Sequence, residues 1–478
     1  MPTYKTPGVY IEEISTLPPS VAEVETAIPA FIAFTEKGER NVPKRITSMV
    51  DYQINFGGAE PEKSMTVSIQ NELISISVDP KKKSKNILFY AMQLYFANGG
   101  GPCYIVPAGA FDESAAASVD SYTGALEAVG KEDEPTLLVF PDAPFILGDR
   151  YYDLVNLALD QCIRLGDRFV IIDVLNKDND LGASTDDFRS RVGNNATAAK
   201  YGAAYYPYLK TTIPYQYDTN EMIISGLPET KIIEQPTVPV VEEETKGGDA
   251  KKAPEKRAIR SQPAGFGSLP NATQNRIKQK IAEIGVELTP AAAVAGVYAL
   301  VDSTRGVWKA PANVGLNYIK GPLMKITDDE QNDLNIDVDN GKSINAIRSF
   351  IGRGTKIWGA RTLAGNDNEW RYVNVRRFFN MVEESVKKST IWAVFEPNDI
   401  NTWTKVRAMI ENYLLLKWKD GALAGAKPDD AFFVRVGLGQ TMTANDVQEG
   451  RMNIEIGLAA VRPAEFIILK FSHKIQNS

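Results

Sequence analysis

With 478 residues, 44% of them hydrophobic and 24% charged, the chain has the composition of an ordinary soluble globular protein of roughly two to four domains. A net charge of −7, with no basic run interleaved with aromatics, argues against nucleic acid as a partner. No apolar run approaches the ~20 residues of a membrane span, and prolines and acids stand where a signal peptide would need an apolar core. Two cysteines, Cys103 and Cys162, can make neither a disulfide framework nor a four-ligand zinc site, so both are expected as buried thiols in a reducing cytoplasm.

In chain order, Pro7-Gly-Val-Tyr-Ile-Glu-Glu-Ile14 is β-prone and fenced by Pro7-Gly8 and Pro18-Pro19. Ile28–Phe34 reads as a buried strand, and residues 46–56 as a helical turn or two stopped by Gly57-Gly58. Lys81–Lys85 reads as a solvated loop tip. Leu88, Met92, Tyr95 and Phe96 stand at helical spacing within 86–98, ended by Gly99–Gly101, and Pro102–Pro107 is a strand. Helix then alternates with strand: helix 114–129, strand 136–140, helix 149–165, strand 169–173, and a third strand at 203–207. Continuous apolar strands between helices predict an α/β layer covered on both faces. Residues 236–262 contain little that can be buried and read as a flexible excursion. Helices at 272–284 and 291–303 follow, then a polar loop at 334–341.

A last module begins near Ser343. Helices are expected at 370–388 and 401–417, strands at 432–436, 452–457 and 464–475. In the final stretch Ile467, Leu469, Phe471 and Ile475 fall on one side, Phe466, Ile468, Lys470 and Lys474 on the other. An apolar strand at a chain end needs a sheet to join, because a free edge invites aggregation. The module's strand count is low for a complete sheet, and strands from other copies could supply the rest. Residues 343–478 hold 19 Lys+Arg against 14 Asp+Glu, a balance of +5 that leaves −12 for residues 1–342. The basic module therefore suits an acidic partner.

No catalytic constellation emerges. The single histidine, His473, lies on the final strand without a neighbouring nucleophile. Gly341-Lys342-Ser343 lacks the first glycine of a phosphate loop, and Gly352-Arg-Gly-Thr-Lys356 has the wrong spacing. Asp333, Asn335, Asp337 and Asp339 alternate like a calcium loop but lack its mid-loop glycine and closing glutamate. The adjacent pairs Glu383-Glu384 and Asp429-Asp430 read as solvated faces. The expectation is no catalytic residue, no metal and no cofactor; the alternative is an enzyme with its active site in the α/β middle region. Assembly state separates the two, since an enzyme should be a small closed oligomer.

Several stretches resemble contractile tail sheath proteins. They are Pro7–Ile14, Gly306-Val-Trp-Lys-Ala-Pro-Ala-Asn313, Ile344–Arg348 with Ile357-Trp-Gly-Ala-Arg-Thr-Leu363, and the run from Gly450 to Lys470. The ending is more similar to sheaths of phage-like extracellular injection systems than to those of classical phage tails. The resemblance implies an α+β multidomain fold in which a C-terminal sheath domain, 343–463, is completed by strands exchanged between subunits. It implies linking arms at 1–20 and 464–478, a middle domain at 21–109 and 266–342, and a variable outer α/β insertion at 110–265. The linking strands would be Val9, Tyr10, Ile11 and Ile14 at one end, and Phe466, Ile467, Ile468, Leu469, Phe471 and Ile475 at the other. Implied partners are further copies in stacked six-fold rings, an inner tube protein, baseplate and terminator proteins, and sibling sheath proteins. The particle would be assembled in the bacterial cytoplasm, as a phage tail or a tail-like particle released from the cell. Its work would be contraction from a metastable extended state. Arg451, on the polar stretch 443–451, is the candidate tube contact.

Overall fold

The computed structural model describes residues 20–70, 73–79, 82–193, 195–225 and 266–469. Expectations for the N-terminal strand, for the 236–262 excursion, for His473 and for the chain beyond Leu469 lie outside those residues. The chain divides into two compact units, Met1–Gly58 with Asn86–Thr211 and Glu287–Ser478, and Ala59–Lys85 with Thr212–Val286.

The larger unit is built on a nine-stranded sheet. Its order is Val314–Gly315, Gly354–Ile357, Ile344–Phe350, Gly202–Tyr206, Phe169–Asp173, Leu137–Val139, Pro29–Thr35, Cys103–Ala110 and Lys44–Ile46. The strands from Ile344–Phe350 through Cys103–Ala110 pair in parallel, with registers such as Ile344↔Ala204, Val170↔Gly202 and Ala30↔Tyr104. Antiparallel strands close both margins. Every residue of Pro29–Thr35 and Phe169–Asp173 is buried, as parallel strands covered on both faces require. Alternation assigns the faces. Phe34 meets Tyr122 of the helix Val119–Val129 edge to face at 5.5 Å, while Phe31 meets Tyr95 of the helix Leu88–Ala97 at 5.0 Å.

Three expectations need correction. Neither residue 110 nor residue 343 bounds a separate layer, because the strands at 137–139, 169–173 and 202–206 share one sheet with those at 29–35 and 344–350. Strands apolar along their whole length need neighbours on each edge and cover on each face, and one large sheet supplies both. The polar loop at 334–341 is preceded by an unexpected helix, Asp328–Asn335. Thr327 and Glu330 close a capping box there, and Asp328 and Asp329 favour the first turn. The helix expected from 114 begins at Val119, where Ser118 and Ser121 form the capping box, after a short turn at Phe111–Ala116.

The smaller unit holds a three-stranded sheet, Ile223–Ser225, Met65–Gln70 and Leu73–Val78, with the helix Asn271–Glu283 burying Ile277 and Ile281. Both cysteines are free and buried.

Within the larger unit, the helices Val373–Ser389 and Ile400–Lys419 form a second core. Phe378, Met381, Val382 and Val386 pack with Val406, Met409, Ile410, Tyr413 and Leu414. The opposite side of the first helix is also buried. There Arg377, 3% exposed, grips Asp302 at 2.5 and 3.0 Å, and Arg376 stacks on Trp370 at 4.4 Å.

Candidate inter-subunit site

Beside the helical core lies a sheet of two antiparallel strands, Phe432–Arg435 and Glu455–Leu458, with Phe433 opposite Gly457. The Phe433 ring occupies the space over Gly457, where a Cβ would stand 2.1 Å from Phe433 Cε1. Val434 is buried in the helical core. Among the described residues no third strand joins this sheet. An isolated pair of strands is marginal in water, and a strand edge without a neighbour is a template for a further strand.

Residues 20–26, the first described, and 459–465, close to the last, are both anchored in this region. At the N-terminal root, the Ala22 and Val24 N–H groups donate to Ser389 Oγ and Ser385 Oγ at 3.2 and 3.1 Å. Glu23 pairs with Lys417 at 2.6 Å, and Thr26 joins the Arg377–Asp302 pair through its hydroxyl and its carbonyl. At the C-terminal root, Val461 N–H donates to the Ala422 carbonyl, and Asn374 Nδ2 donates to the Val461 carbonyl. Glu465 then accepts a two-pronged grip from Arg361, Nε to Oε1 at 2.8 Å and Nη2 to Oε2 at 2.6 Å, plus the Tyr372 hydroxyl at 3.1 Å. Burial, reinforced by the Glu465 charge, raises the Tyr372 pKa, so the phenol stays a donor.

Immediately past that grip the character of the chain changes. Phe466, Ile467, Ile468 and Leu469 are 69–79% exposed, and 464–469 carries no strand of its own. Their apolar side chains lack a covering surface within the described chain. Val9, Tyr10, Ile11, Ile14, Phe471 and Ile475 lie outside the described residues. Arg451 follows the short helix Ala444–Gln448 and is exposed, but its guanidinium is shared with Asp446 at 2.9 Å and with Glu449. The Thr443 cap, with help from Arg451, pulls the Asp446 carboxyl down to about 2. Sequence reasoning missed Arg361, Tyr372, Asn374 and Glu465. One signal was present: Glu465 is the acid interrupting an otherwise apolar run after Pro463.

The comparisons with known proteins bear on this same region and then on the whole chain. Residues 365–474 match the family model of the phage tail sheath C-terminal domain. The tail sheath protein of Burkholderia phage BcepMu is 30% identical over 138 residues; the matched stretch spans 28% of this chain and 28% of that protein's length. Similarity to the sheath of an extracellular contractile injection system, PVC, in its contracted state runs end to end. It covers 100% of this chain and 99% of that one, at 30% identity and a TM-score of 0.65. The chain belongs to the contractile sheath family. The contracted helical sheath of the anti-feeding prophage is similar to the same extent, at 32% identity and a TM-score of 0.64 over 99% of this chain and 100% of that one. The C-terminal-domain family model covers 365–474, and the strands Ile344–Phe350 and Gly354–Ile357 upstream of it lie in the large sheet.

Proposed function

We propose that the chain is a sheath subunit that polymerises as stacked six-fold rings around an inner tube. In this reading it contracts to drive that tube through a target envelope. The observation that carries it is the pairing of opposites at one place. Among the described residues, a two-stranded sheet with no further strand on either edge lies beside an anchored segment whose apolar residues Phe466–Leu469 are uncovered.

Strand addition satisfies both needs at once. Residues 9–14 and 466–475 of neighbouring copies lie along the free edges of Phe432–Arg435 and Glu455–Leu458 and complete the sheet. Backbone pairing does not depend on which rigid body lies beyond the arm, so domains rotate while the mesh stays linked. Contraction is then a passage between two packings of the same subunits and requires no bond-making chemistry. The tube contact is assigned to the 443–451 stretch, where Arg451 exchanges Asp446 and Glu449 for acidic tube groups. Surface ion pairs of roughly 0–1 kcal/mol each make that grip releasable. Baseplate, terminator and sibling sheath proteins would meet the same open edges at the ends of the cylinder. Assembly in the bacterial cytoplasm precedes release of the particle.

Electron microscopy of the purified chain, of a copy lacking residues 1–14 and of one ending at Ala464 tests the reading. Long striated cylinders from the full chain, absent from both truncations, are expected. Cylinders from either truncated chain would remove that arm from the linking role.

A further inference from the structure

Where the C-terminal segment leaves the body, a pocket of about 370 Å³ is lined chiefly by Arg305, Trp308, Lys309, Val461, Arg462 and Pro463. Three cations meet there, and among the described residues none of them has a carboxylate partner. Lys309 Nζ donates to the Ala310 carbonyl at 2.9 Å. Burial, and secondarily the Arg305 charge, lower the Lys309 pKa. The two acids nearest in sequence, each three residues from a pocket cation, are engaged elsewhere: Glu465 by Arg361 and Tyr372, and Asp302 by Arg377.

The pocket is held in shape. Asn374, buried, donates from Nδ2 to the carbonyls of both Trp308 and Val461, at 2.8 and 3.2 Å, and so ties two of its walls together. Gly306, at φ +86°, leaves room for the folded-back indole; a Cβ there would lie 2.4 Å from Trp308 Cζ2. A preformed recess with three cations and an aromatic wall fits a carboxylate carried on a short apolar segment.

We propose that this pocket receives the Glu12–Glu13 pair from the N-terminal segment of a second copy of the chain. The proposal rests on the linking-arm reading above and adds a charged contact that holds the arm at this end of the domain. Adjacent residues of a strand point to opposite faces, so one of two consecutive glutamates meets the pocket whichever face the strand presents. The route of the chain favours a second copy over its own end. Traced upstream, Thr26 lies at Arg377, Val24 at Ser385 and Ala22 at Ser389. The segment thus climbs the Val373–Ser389 helix away from Asn374, where the pocket walls are tied.

A charge-swap mixing experiment on full chains tests this. One variant carries Glu12→Lys and Glu13→Lys; the other carries Lys309→Glu and Arg462→Glu. Each alone should polymerise only at a critical concentration about tenfold above that of the parent chain, the equivalent of one tenfold step per ~1.4 kcal/mol shared over the contact. An equimolar mixture should return to within about threefold of the parent, because each variant's segment then finds an opposite charge on the other. Singles that polymerise like the parent overturn the proposal; if the copy lacking residues 1–14 still fails to polymerise, the linking-arm reading survives. Impaired singles that mixing does not rescue also overturn it, since the contact would then lie within one chain. If the pocket variant melts below the parent, Lys309→Gln with Arg462→Gln replaces it, and a smaller rise that disappears at high salt is expected. A rise that persists at high salt would overturn the charge contact.

Discussion

Glu465 marks the point where an anchored segment gives way to the uncovered residues Phe466–Leu469, so its removal should loosen the root and leave the body folded. The Arg361 side chain is 4% exposed and that of Glu465 is 22% exposed. Breaking a fully buried pair costs about 3–5 kcal/mol and losing an exposed one roughly 0–1. Glu465 lies between these limits, on a segment that can swing into water, so about 2 kcal/mol is the expected loss for Glu465→Ala, or roughly 30-fold in the opening equilibrium. Glu465→Gln keeps the Tyr372 contact and one Arg361 bond and should lose about tenfold. The assay is amide hydrogen exchange of the peptide covering 459–465, in which the Ala459 and Val461 N–H groups are bonded to Ala431 and Ala422. Arg361→Gln alone should accelerate it comparably, and the double variant should be no worse than either single. Exchange that stays at the parent rate in Glu465→Ala would refute the anchoring role.

Burial lifts the Asp173 carboxyl from 3.8 to about 7, against the lowering effect of the Ala291 N–H, which donates to Oδ1 at 2.8 Å, and of the Thr289 hydroxyl. The folded state therefore keeps a proton that the unfolded chain releases. That stability is complete below about pH 4 and is lost as pH rises to about 7, by at most about 4 kcal/mol. Melting temperature across this range should fall more steeply for the parent chain than for Asp173→Asn, and parallel curves would contradict the burial argument. Gly457→Val places methyl groups where the Phe433 ring lies, and should cost about 1–3 kcal/mol and abolish polymerisation; unchanged melting and cylinders would show that the strand pair tolerates displacement of that ring. Phe395 is fully exposed at φ +70°. Phe395→Gly should stabilise the isolated subunit by about 1 kcal/mol in thermal melting, and destabilisation would show that the ring has a partner.

How far the sequence carried depends on where each determinant lies along the chain. Strands such as Phe169–Asp173 and helices such as Ile400–Lys419 announce themselves through local apolar pattern, and the structure has them within a residue or two. The shared sheet was not legible. Nothing local says that Gly202–Tyr206 will pair with Ile344–Phe350 more than a hundred residues later. The helix Asp328–Asn335 was hidden because its drive is capping and charge, with Leu334 alone buried. The roots of the arms were hidden for a third reason. Arg361 and Glu465 stand 104 residues apart, and a charged side chain in sequence reads as solvated until its partner is placed. The resemblance did touch both halves, since Arg361 lies in the Ile357–Leu363 stretch and Glu465 in the Gly450–Lys470 stretch.

The placement of the two roots has a mechanical consequence that neither root has alone. Ser385 and Ser389 hold the N-terminal root, while Asn374, with Tyr372 just before it, holds the C-terminal root. All four belong to the 17-residue helix Val373–Ser389 or its N-cap, an element about 25 Å long at 1.5 Å per residue. A pull arriving through one arm is therefore delivered to the same rigid element that holds the other. The body touches this path too: Arg377 grips Asp302 of the helix Ala291–Arg305, and Arg361, which holds Glu465, is bonded through its backbone to Asn345 of the large sheet. In the mesh proposed above, load from either arm would enter the subunit through this one helix. The polarity of the roots fits that proposal: charged, hydrogen-bonded groups fix each root within its own subunit, and Phe466–Leu469 just beyond the C-terminal one have no cover among the described residues.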